Sequence, residues 1–213
     1  TIKNTRTPRK RNKRMLKLYR YDVSEMDRET YACLALTLPQ NLLARLDGMA
    51  HFGDKRRALA GHLLTLGAAK ELCGASDPKI LRTPAGKPYF AELPLFYSVS
   101  HSVDFVILAA SDRPIGADIE RIRPLNLGIA KRFFAPGEQS YLFGASPRPQ
   151  DFETPPSEQS REILGRFYEI WTKKEAFFKW RGTGIVRPTE LDTCRLPFYT
   201  ESDGEYAIAV YEE

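Results

Sequence analysis

The stretch that decides the fold is IGADIE, residues 115–120, in which apolar residues alternate with small or acidic ones. In an extended chain, the two isoleucines and Ala117 would share one face, while Gly116, Asp118 and Glu120 would share the other. Such period-two alternation predicts a strand with one dry face and one wet face. The elements on either side of this strand then define the fold class.

One helix is predicted before this strand in the chain and one after it. Residues 54–73 carry apolar residues at helical spacing, with Asp54 placed to cap the start and Gly74 just beyond the end. Residues 162–180 carry the longest apolar stripe in the chain, and Gly182 follows it as a helix terminator. Both segments are long enough to cover a small sheet.

The remaining apolar runs predict short strands. Residues 95–100 and 103–110 form a strand pair with its turn at His101-Ser102, and residues 194–199 and 206–211 form a hairpin. Residues 31–46 are interpreted as a strand followed by a short helix. This order predicts an α+β fold with two halves, residues 15–112 and 113–213.

The charge of the chain is concentrated at its start. The sequence has 213 residues and a formal net charge of +5, and residues 1–20 hold nine basic residues and no acid. Without those nine, 23 basic residues face 27 acidic ones, a net charge of −4. We therefore expect residues 1–14 to form a basic disordered arm outside the fold.

Composition narrows the class of protein. With 42% hydrophobic and 28% charged residues, the chain is typical of a globular protein. Its longest strongly apolar run, residues 105–110, is far shorter than the roughly 18 residues needed to span a membrane. No secretory signal pattern is visible, and the three cysteines form no C-x-x-C pair. These features favour a cytoplasmic protein.

Two acidic residues on the central strand could bind a metal ion. Asp118 and Glu120 are two positions apart, so their carboxylates would project from the same face of the strand. Oxygen ligands of this kind suit Mg²⁺, which commonly bridges one or two carboxylates to substrate phosphates. The same pair is also typical of the solvent side of an amphipathic strand.

Glu175 lies inside the apolar stripe of the second helix rather than opposite it. A carboxylate that points toward a core needs compensation, because unpaired buried charge is costly. A metal ion could supply that compensation. Lys179 could supply it equally well through an ordinary i to i+4 pair.

A basic cluster and the arm raise two further possibilities. Residues 55–57, Lys-Arg-Arg, would occupy the first turn of the first helix, where the helix dipole favours acids, so the cluster is either a solvated face or a site for an external anion. The alternative function for the chain is a nucleic-acid-binding module that uses the basic arm. The net negative body and the lack of a helix-turn-helix or zinc pattern argue against nucleic acid. Serine-hydrolase, zinc-protease and P-loop spacings are also missing from the sequence.

Five pieces of sequence occur in a fixed order and together form one pattern. They are Gly86-Lys87-Pro88, YSVSHS at residues 97–102, IGADIE at residues 115–120, Arg132-Phe-Phe with Glu138, and WTKKEAFFK at residues 171–179. This series resembles the 4'-phosphopantetheinyl transferases of the surfactin-synthetase-activator type, over roughly residues 50–190.

The resemblance implies a monomer of two similar α+β halves related by a pseudo-twofold axis, with coenzyme A bound in the cleft between them. The implied reaction is Mg²⁺-dependent. It moves the 4'-phosphopantetheine arm of coenzyme A onto a serine of an acidic apo acyl or peptidyl carrier protein and releases adenosine 3',5'-bisphosphate. This is the activity of a holo-[acyl-carrier-protein] synthase.

The resemblance also implies a role for each matching position. It implies metal ligation by Asp118, Glu120 and Glu175, and catalysis by Glu175 and Lys179. The implied contacts to coenzyme A are Arg57 and His101 at the 3'-phosphate, Ser100 and Lys179 at the pyrophosphate, and Lys87 in the Gly-Lys-Pro turn.

Overall fold

The computed structural model describes residues 15–213 and shows a mixed α+β fold. The basic arm predicted for residues 1–14 lies outside the described residues. The first part of the chain contains β1 (Leu16–Asp22), α1 (Arg28–Ala35), α2 (Gln40–Asp47), α3 (Phe52–Cys73), β2 (Ile80–Arg82), β3 (Pro88–Phe90), β4 (Phe96–Ser102) and β5 (Phe105–Ser111). The second part contains β6 (Ile115–Arg121), α4 (Ile129–Phe133), α5 (Pro136–Phe143), α6 (Arg161–Arg181), β7 (Tyr199–Ser202) and β8 (Tyr206–Glu212).

Each part of the chain builds a three-stranded antiparallel sheet with one long helix against it. The order in the first sheet is β1-β5-β4, and α3 packs on β5 and β4. The order in the second is β6-β8-β7, and α6 packs on β6 and β8. The hairpin β2-β3 forms a separate two-stranded sheet before β4.

The two sheets share an apolar layer that is made by one face of β6. Ile115, Ala117 and Ile119 are fully buried there, against Ile107 and Ala109 of β5 and the neighbouring apolar residues of β8. The alternation of residues 115–120 therefore predicted correctly which side chains point the same way. Burial of these residues ties the two sheets together.

The face of β6 that the sequence predicts to be exposed to solvent is covered. Gly116 and Asp118 are buried and Glu120 is half-buried, because α6 covers this face. A Cβ at Gly116 would lie 2.0 Å from the carbonyl oxygen of Ala176 and 2.3 Å from the backbone nitrogen of Trp180. Only a residue without a side chain permits this contact, which fixes the helix directly over the two acidic residues.

Both long helices predicted from the apolar periodicity are present, but one of them begins at a different residue than predicted. Helix α6 begins after Ser160, whose side chain accepts the N–H of Ile163, and ends at Gly182 in the left-handed conformation. Helix α3 also ends at a left-handed glycine, Gly74, but it begins at Phe52. The expected cap at Asp54 is wrong: this residue lies in the first turn.

Three other local predictions are corrected. Residues 31–46 contain no strand; they belong to α1 and α2, because their apolar residues face the core at helical spacing. The β4-β5 turn lies at Val103-Asp104 rather than at His101-Ser102, which pair within the ladder. Residues 193–195 form a short 3₁₀ turn, so the last hairpin starts only at Tyr199.

No helix within residues 15–213 combines the length and the apolar character that crossing a lipid bilayer requires.

Replacement of Gly116 tests the close contact between α6 and β6. We expect Gly116→Ala to lower the free energy of unfolding by about 2 kcal/mol or more, because the new methyl group overlaps backbone atoms that cannot rotate away. The measurement is denaturant-induced unfolding. Gly165→Ala on α6 is the control, since a Cβ there meets no atom within 4 Å. This substitution should leave the free energy of unfolding equal or raise it by up to about 1 kcal/mol. Equal stability of Gly116→Ala and the wild type would contradict the contact.

Candidate active site at the junction of the two sheets

The edge strands β4 and β6 run side by side in the same direction and are joined by serine hydroxyls. Ser98 Oγ accepts the backbone N–H of Ala117 at 3.0 Å. Two positions further on, Ser100 Oγ donates to Asp118 Oδ1 at 2.7 Å. These bonds stand where main-chain pairing would otherwise continue the sheet, so the acidic residues of β6 lie at the seam between the two sheets.

Lys179 closes this cluster from the opposite side. Its ammonium donates to Asp118 Oδ1 at 2.7 Å and to Ser100 Oγ at 2.8 Å. The Asp118 side chain is only 5% exposed, against 32% for Lys179. Three residues from three elements, β4, β6 and α6, therefore meet at one point, and the lysine retains access to solvent.

Asp118 has a second oxygen that is left without a partner. Oδ2 of Asp118 is buried and forms no hydrogen bond. Such an orphaned carboxylate oxygen is uncommon in a core and indicates room for a cation or a donor from a ligand. The carboxylates of Glu120 and Glu175 lie close enough to Asp118 for electrostatic repulsion from its negative charge.

The pKa values of Glu175 and Glu120 are shifted in the same direction. Dehydration, followed by the negative charge of Asp118, raises the pKa of Glu175 above its ordinary value. The same two causes, in the same order, raise the pKa of Glu120, while a hydrogen bond from Ser102 opposes the shift. The site thus carries more negative charge than Lys179 compensates, which favours binding of a cation.

A complete three-ligand metal cluster is not formed within residues 15–213: no three His, Cys, Asp or Glu side chains there are arranged to hold an ion. This does not conflict with Mg²⁺, which commonly uses one or two carboxylates and completes its shell with water and substrate phosphates. The hard oxygen donors and the orphaned oxygen of Asp118 fit that ion.

Two of the expected phosphate contacts lie next to this cluster. Arg57 donates to the carbonyl of Val103 at 2.7 Å and pairs with Asp54 at 2.5 Å, which places its guanidinium at the β4-β5 turn. His101 is exposed on β4, and dehydration followed by the charges of Arg57 and Lys179 lowers its pKa. Dehydration is the larger cause of this lowered pKa, and the positive charges of Arg57 and Lys179 add to it, so an anion bound near His101 would oppose the second cause.

The rest of the basic cluster at residues 55–57 has internal partners. Because α3 begins at Phe52, these residues lie in the second turn of the helix rather than the first. The guanidinium of Arg56 donates to the carbonyl oxygens of Val23, Ser24 and Met26, at 2.7, 3.0 and 3.3 Å. Arg56 therefore holds the loop after β1, and Arg57 is the member of this cluster whose charge acts on His101.

Lys87 makes hydrogen bonds within the protein that the sequence did not predict. Its ammonium donates to the carbonyl of Trp180 at 2.9 Å and to the carbonyl of Ile115 at 3.2 Å. Dehydration lowers the pKa of Lys87. The residue caps the C-terminal end of α6 and joins the β2-β3 hairpin to the second sheet.

A cleft opens beside the cluster. It has a volume of about 310 Å³ and is lined by β4, by α6 and the segment after it, and by the β2-β3 turn, including Lys87, Tyr97, Glu175, Lys179 and Ile185. The two residues expected to be catalytic, Glu175 and Lys179, both face it. A phosphate-bearing ligand in this cleft would meet the ammonium of Lys179 and the carboxylate of Glu175.

Sequence reasoning missed a buried ion pair directly beside Glu175. Lys174 and Glu138 are 3% and 0% exposed and lie 2.7 Å apart. Glu138 also accepts from Thr193 and from the backbone N–H of Ala135. Lys174 also donates to the carbonyls of Pro188 and Leu191, each at 2.7 Å. This network fixes α5 and the segment after α6 to the helix that carries Glu175 and Lys179.

Comparison with known proteins shows the family of the chain. Residues 114–213 match the family model described as the 4'-phosphopantetheinyl transferase superfamily, and residues 25–113 match the one described as 4'-phosphopantetheinyl transferase, N-terminal. The chain belongs to the 4'-phosphopantetheinyl transferase superfamily.

Individual relatives carry the same family name. The chain is 33% identical over 161 residues to 4'-phosphopantetheinyl transferase Sfp of Bacillus subtilis strain 168, which is 74% of this chain and 64% of that protein. It is 35% identical over 161 residues to 4'-phosphopantetheinyl transferase AcpT of Salmonella typhimurium, 73% of this chain and 72% of that protein. The chain thus covers less than two thirds of the Bacillus relative.

Removal of one partner tests the buried Glu138–Lys174 pair. We expect Lys174→Met to lower the free energy of unfolding by about 3 kcal/mol or more, because it leaves the carboxylate of Glu138 buried and uncompensated. Lys173→Met is the control: this neighbouring lysine makes an i to i+4 pair with Glu169, worth about 0.5 kcal/mol or less. Denaturant-induced unfolding measures both. A similar loss in the two variants would show that the pair has no special role.

Removal of the charge on Glu175 tests the like-charge cluster through its pH dependence. The raised pKa means that folded protein holds this proton more tightly than unfolded protein, so stability falls as pH rises from about 4.3 through the raised value. In metal-free buffer, Glu175→Gln should equal the wild type in stability below that range and exceed it above. Unfolding curves at acidic and neutral pH measure the difference. Glu169→Gln, the control on the same helix, should show no such gain; an equal gain would contradict the assignment.

Proposed function

We propose that this protein transfers the 4'-phosphopantetheine arm of coenzyme A to a serine hydroxyl of an apo acyl or peptidyl carrier protein and releases adenosine 3',5'-bisphosphate. The observation that carries the proposal is the cluster in which Lys179 bonds both Ser100 and Asp118 while a second oxygen of Asp118 remains unpartnered. A site with one free carboxylate oxygen and one solvent-accessible lysine suits a pyrophosphate with an accompanying divalent cation. The names of the relatives support this substrate class.

In the proposed reaction the carrier serine oxygen attacks the phosphorus that bears the pantetheine chain. The bond between that phosphorus and the bridging oxygen of the pyrophosphate breaks, and the bridging oxygen leaves with the adenosine bisphosphate. Glu175 accepts the serine proton. Its raised pKa makes it a stronger base than an ordinary glutamate, and it faces the cleft.

Lys179 is proposed to stabilise the leaving phosphate. Its three donors serve Asp118 and Ser100 and leave one for a phosphate oxygen. Asp118 and Glu120 would hold Mg²⁺, which when bound would neutralise charge on the pyrophosphate oxygens and leave Glu175 free to act as the base. The bonds to Asp118 and Ser100 fix the lysine before substrate arrives, so little ordering cost remains for the reaction.

The remaining coenzyme contacts follow from position. Arg57 and Lys179 add positive charge around His101, which an anion would partly neutralise, and we assign Arg57 and His101 to the 3'-phosphate. Ser100, whose hydroxyl accepts from Lys179 at 2.8 Å, is assigned to the pyrophosphate. Lys87 is proposed to act on the coenzyme mainly by shaping the cleft wall, because its ammonium already has two carbonyl partners.

We also propose that the two parts of the chain, residues 15–112 and 113–213, are related by a pseudo-twofold axis within a monomer. Each has a three-stranded antiparallel sheet and one long helix, and β5 ends and β6 begins on either side of this boundary. The three cysteines are exposed and unpaired, which agrees with a reducing, cytoplasmic setting. An acidic carrier protein would complement the basic arm.

Mass spectrometry of apo carrier proteins incubated with coenzyme A and Mg²⁺ tests the proposal. We expect a mass increase of one phosphopantetheine group with the wild type, and a loss of rate by about 100-fold or more with Asp118→Asn and with Glu175→Gln, because charge stabilisation in the transition state is lost. Both variants should remain folded. Glu169→Gln, on the same helix but paired with Lys173 and Tyr141, should transfer at the wild-type rate. Undiminished transfer by the two site variants would contradict the proposal.

A further inference from the structure

Ser102, the last residue of β4, makes two hydrogen bonds to the strand that carries the acidic residues. Its Oγ accepts the backbone N–H of Arg121 at 3.0 Å and donates to Glu120 Oε2 at 2.8 Å. The side chain is half-buried and lies on the same face of β4 as Ser98 and Ser100. It was part of the sequence pattern at residues 97–102, but the proposed reaction has no role for it.

The two partners of the Ser102 hydroxyl fix the direction in which it donates its proton. A serine has one proton to donate, and the N–H of Arg121 already occupies an acceptor position of the oxygen. The single proton is therefore directed at the carboxylate of Glu120. A hydrogen bond to a charged acceptor is stronger than one between neutral groups, so the bond resists rotation of the glutamate side chain.

The three serines of β4 have different partners. Ser98 bonds only the backbone of β6, and Ser100 belongs to the lysine cluster around Asp118. Ser102 alone of the three bridges the backbone of β6 and the carboxylate of Glu120. Lys179 and Arg123 act on that carboxylate only through their charge, so neither fixes its orientation as a hydrogen bond does.

We propose that Ser102 is a positioning residue that holds the carboxylate of Glu120 in place for the divalent cation. Its effect is indirect, since the hydroxyl contacts neither substrate nor reacting atoms. The inference rests on the proposed function for the identity of the reaction, but not for cation binding. Partners of metal-bound groups commonly change metal affinity by about 10-fold to 100-fold when they are removed.

The test measures cation binding directly as well as transfer. Binding of Mn²⁺, used as a paramagnetic probe for Mg²⁺, is titrated by electron paramagnetic resonance in the presence of coenzyme A. Ser102→Ala should weaken Mn²⁺ binding by about 10-fold and raise the Mg²⁺ concentration for half-maximal transfer by a similar factor. The KM for coenzyme A should not change, and kcat at saturating Mg²⁺ should remain near the wild-type value.

Two further variants separate positioning from a general effect on the seam. Ser102→Thr keeps the hydroxyl and should restore Mn²⁺ affinity. Ser98→Ala removes a comparable bond between β4 and the β6 backbone, so it should lower thermal stability without changing Mn²⁺ affinity. Wild-type Mn²⁺ affinity in Ser102→Ala, or an equal loss in Ser98→Ala, would overturn the inference. If the wild type bound Mn²⁺ but transferred nothing to any carrier, the proposed function would fail while the Mn²⁺ titration still decided the role of Ser102.

Discussion

The close approach of α6 to β6 at Gly116 is the constraint on which the site depends. A methyl group at this position would lie 2.0 Å from a backbone oxygen of the helix, so the contact is between backbones rather than side chains. With the helix held there, Asp118 is buried and Glu120 is half-buried, and Glu175 and Lys179 are brought opposite them. A buried strand with two acidic residues is costly unless partners arrive from elsewhere, and α6 supplies one cation for them.

That charge compensation is incomplete. Lys179 and Ser100 satisfy one oxygen of Asp118, while the other oxygen has no partner and the pKa values of Glu120 and Glu175 are raised. Stability alone would favour a neutral or fully paired arrangement. Residual negative charge of this kind is typical of sites that bind a cation and a phosphate together, because the ligand completes what the fold leaves open.

Three charged residues around the site are held in place by bonds within the protein. Lys174 and Glu138 are buried with all of their partners inside the protein, and Lys87 is bonded to two carbonyl groups. They form a rigid frame around the two residues that face the cleft, Glu175 and Lys179. Rigid support of this kind holds a reacting group in place more precisely than a loop would.

Local pattern in the sequence determined the long helices and the alternation of residues 115–120, which places Asp118 and Glu120 on one face of β6. It failed where the decisive contact was distant. It placed the β4-β5 turn two residues early, interpreted α1 as a strand and left one face of β6 in water. Lys179 reaches Ser100 across 79 positions and Asp118 across 61. Periodicity reports only on neighbours within a few residues, whereas burial, hydrogen-bond partners and charge compensation depend on which elements pack together; only the tertiary structure decided those.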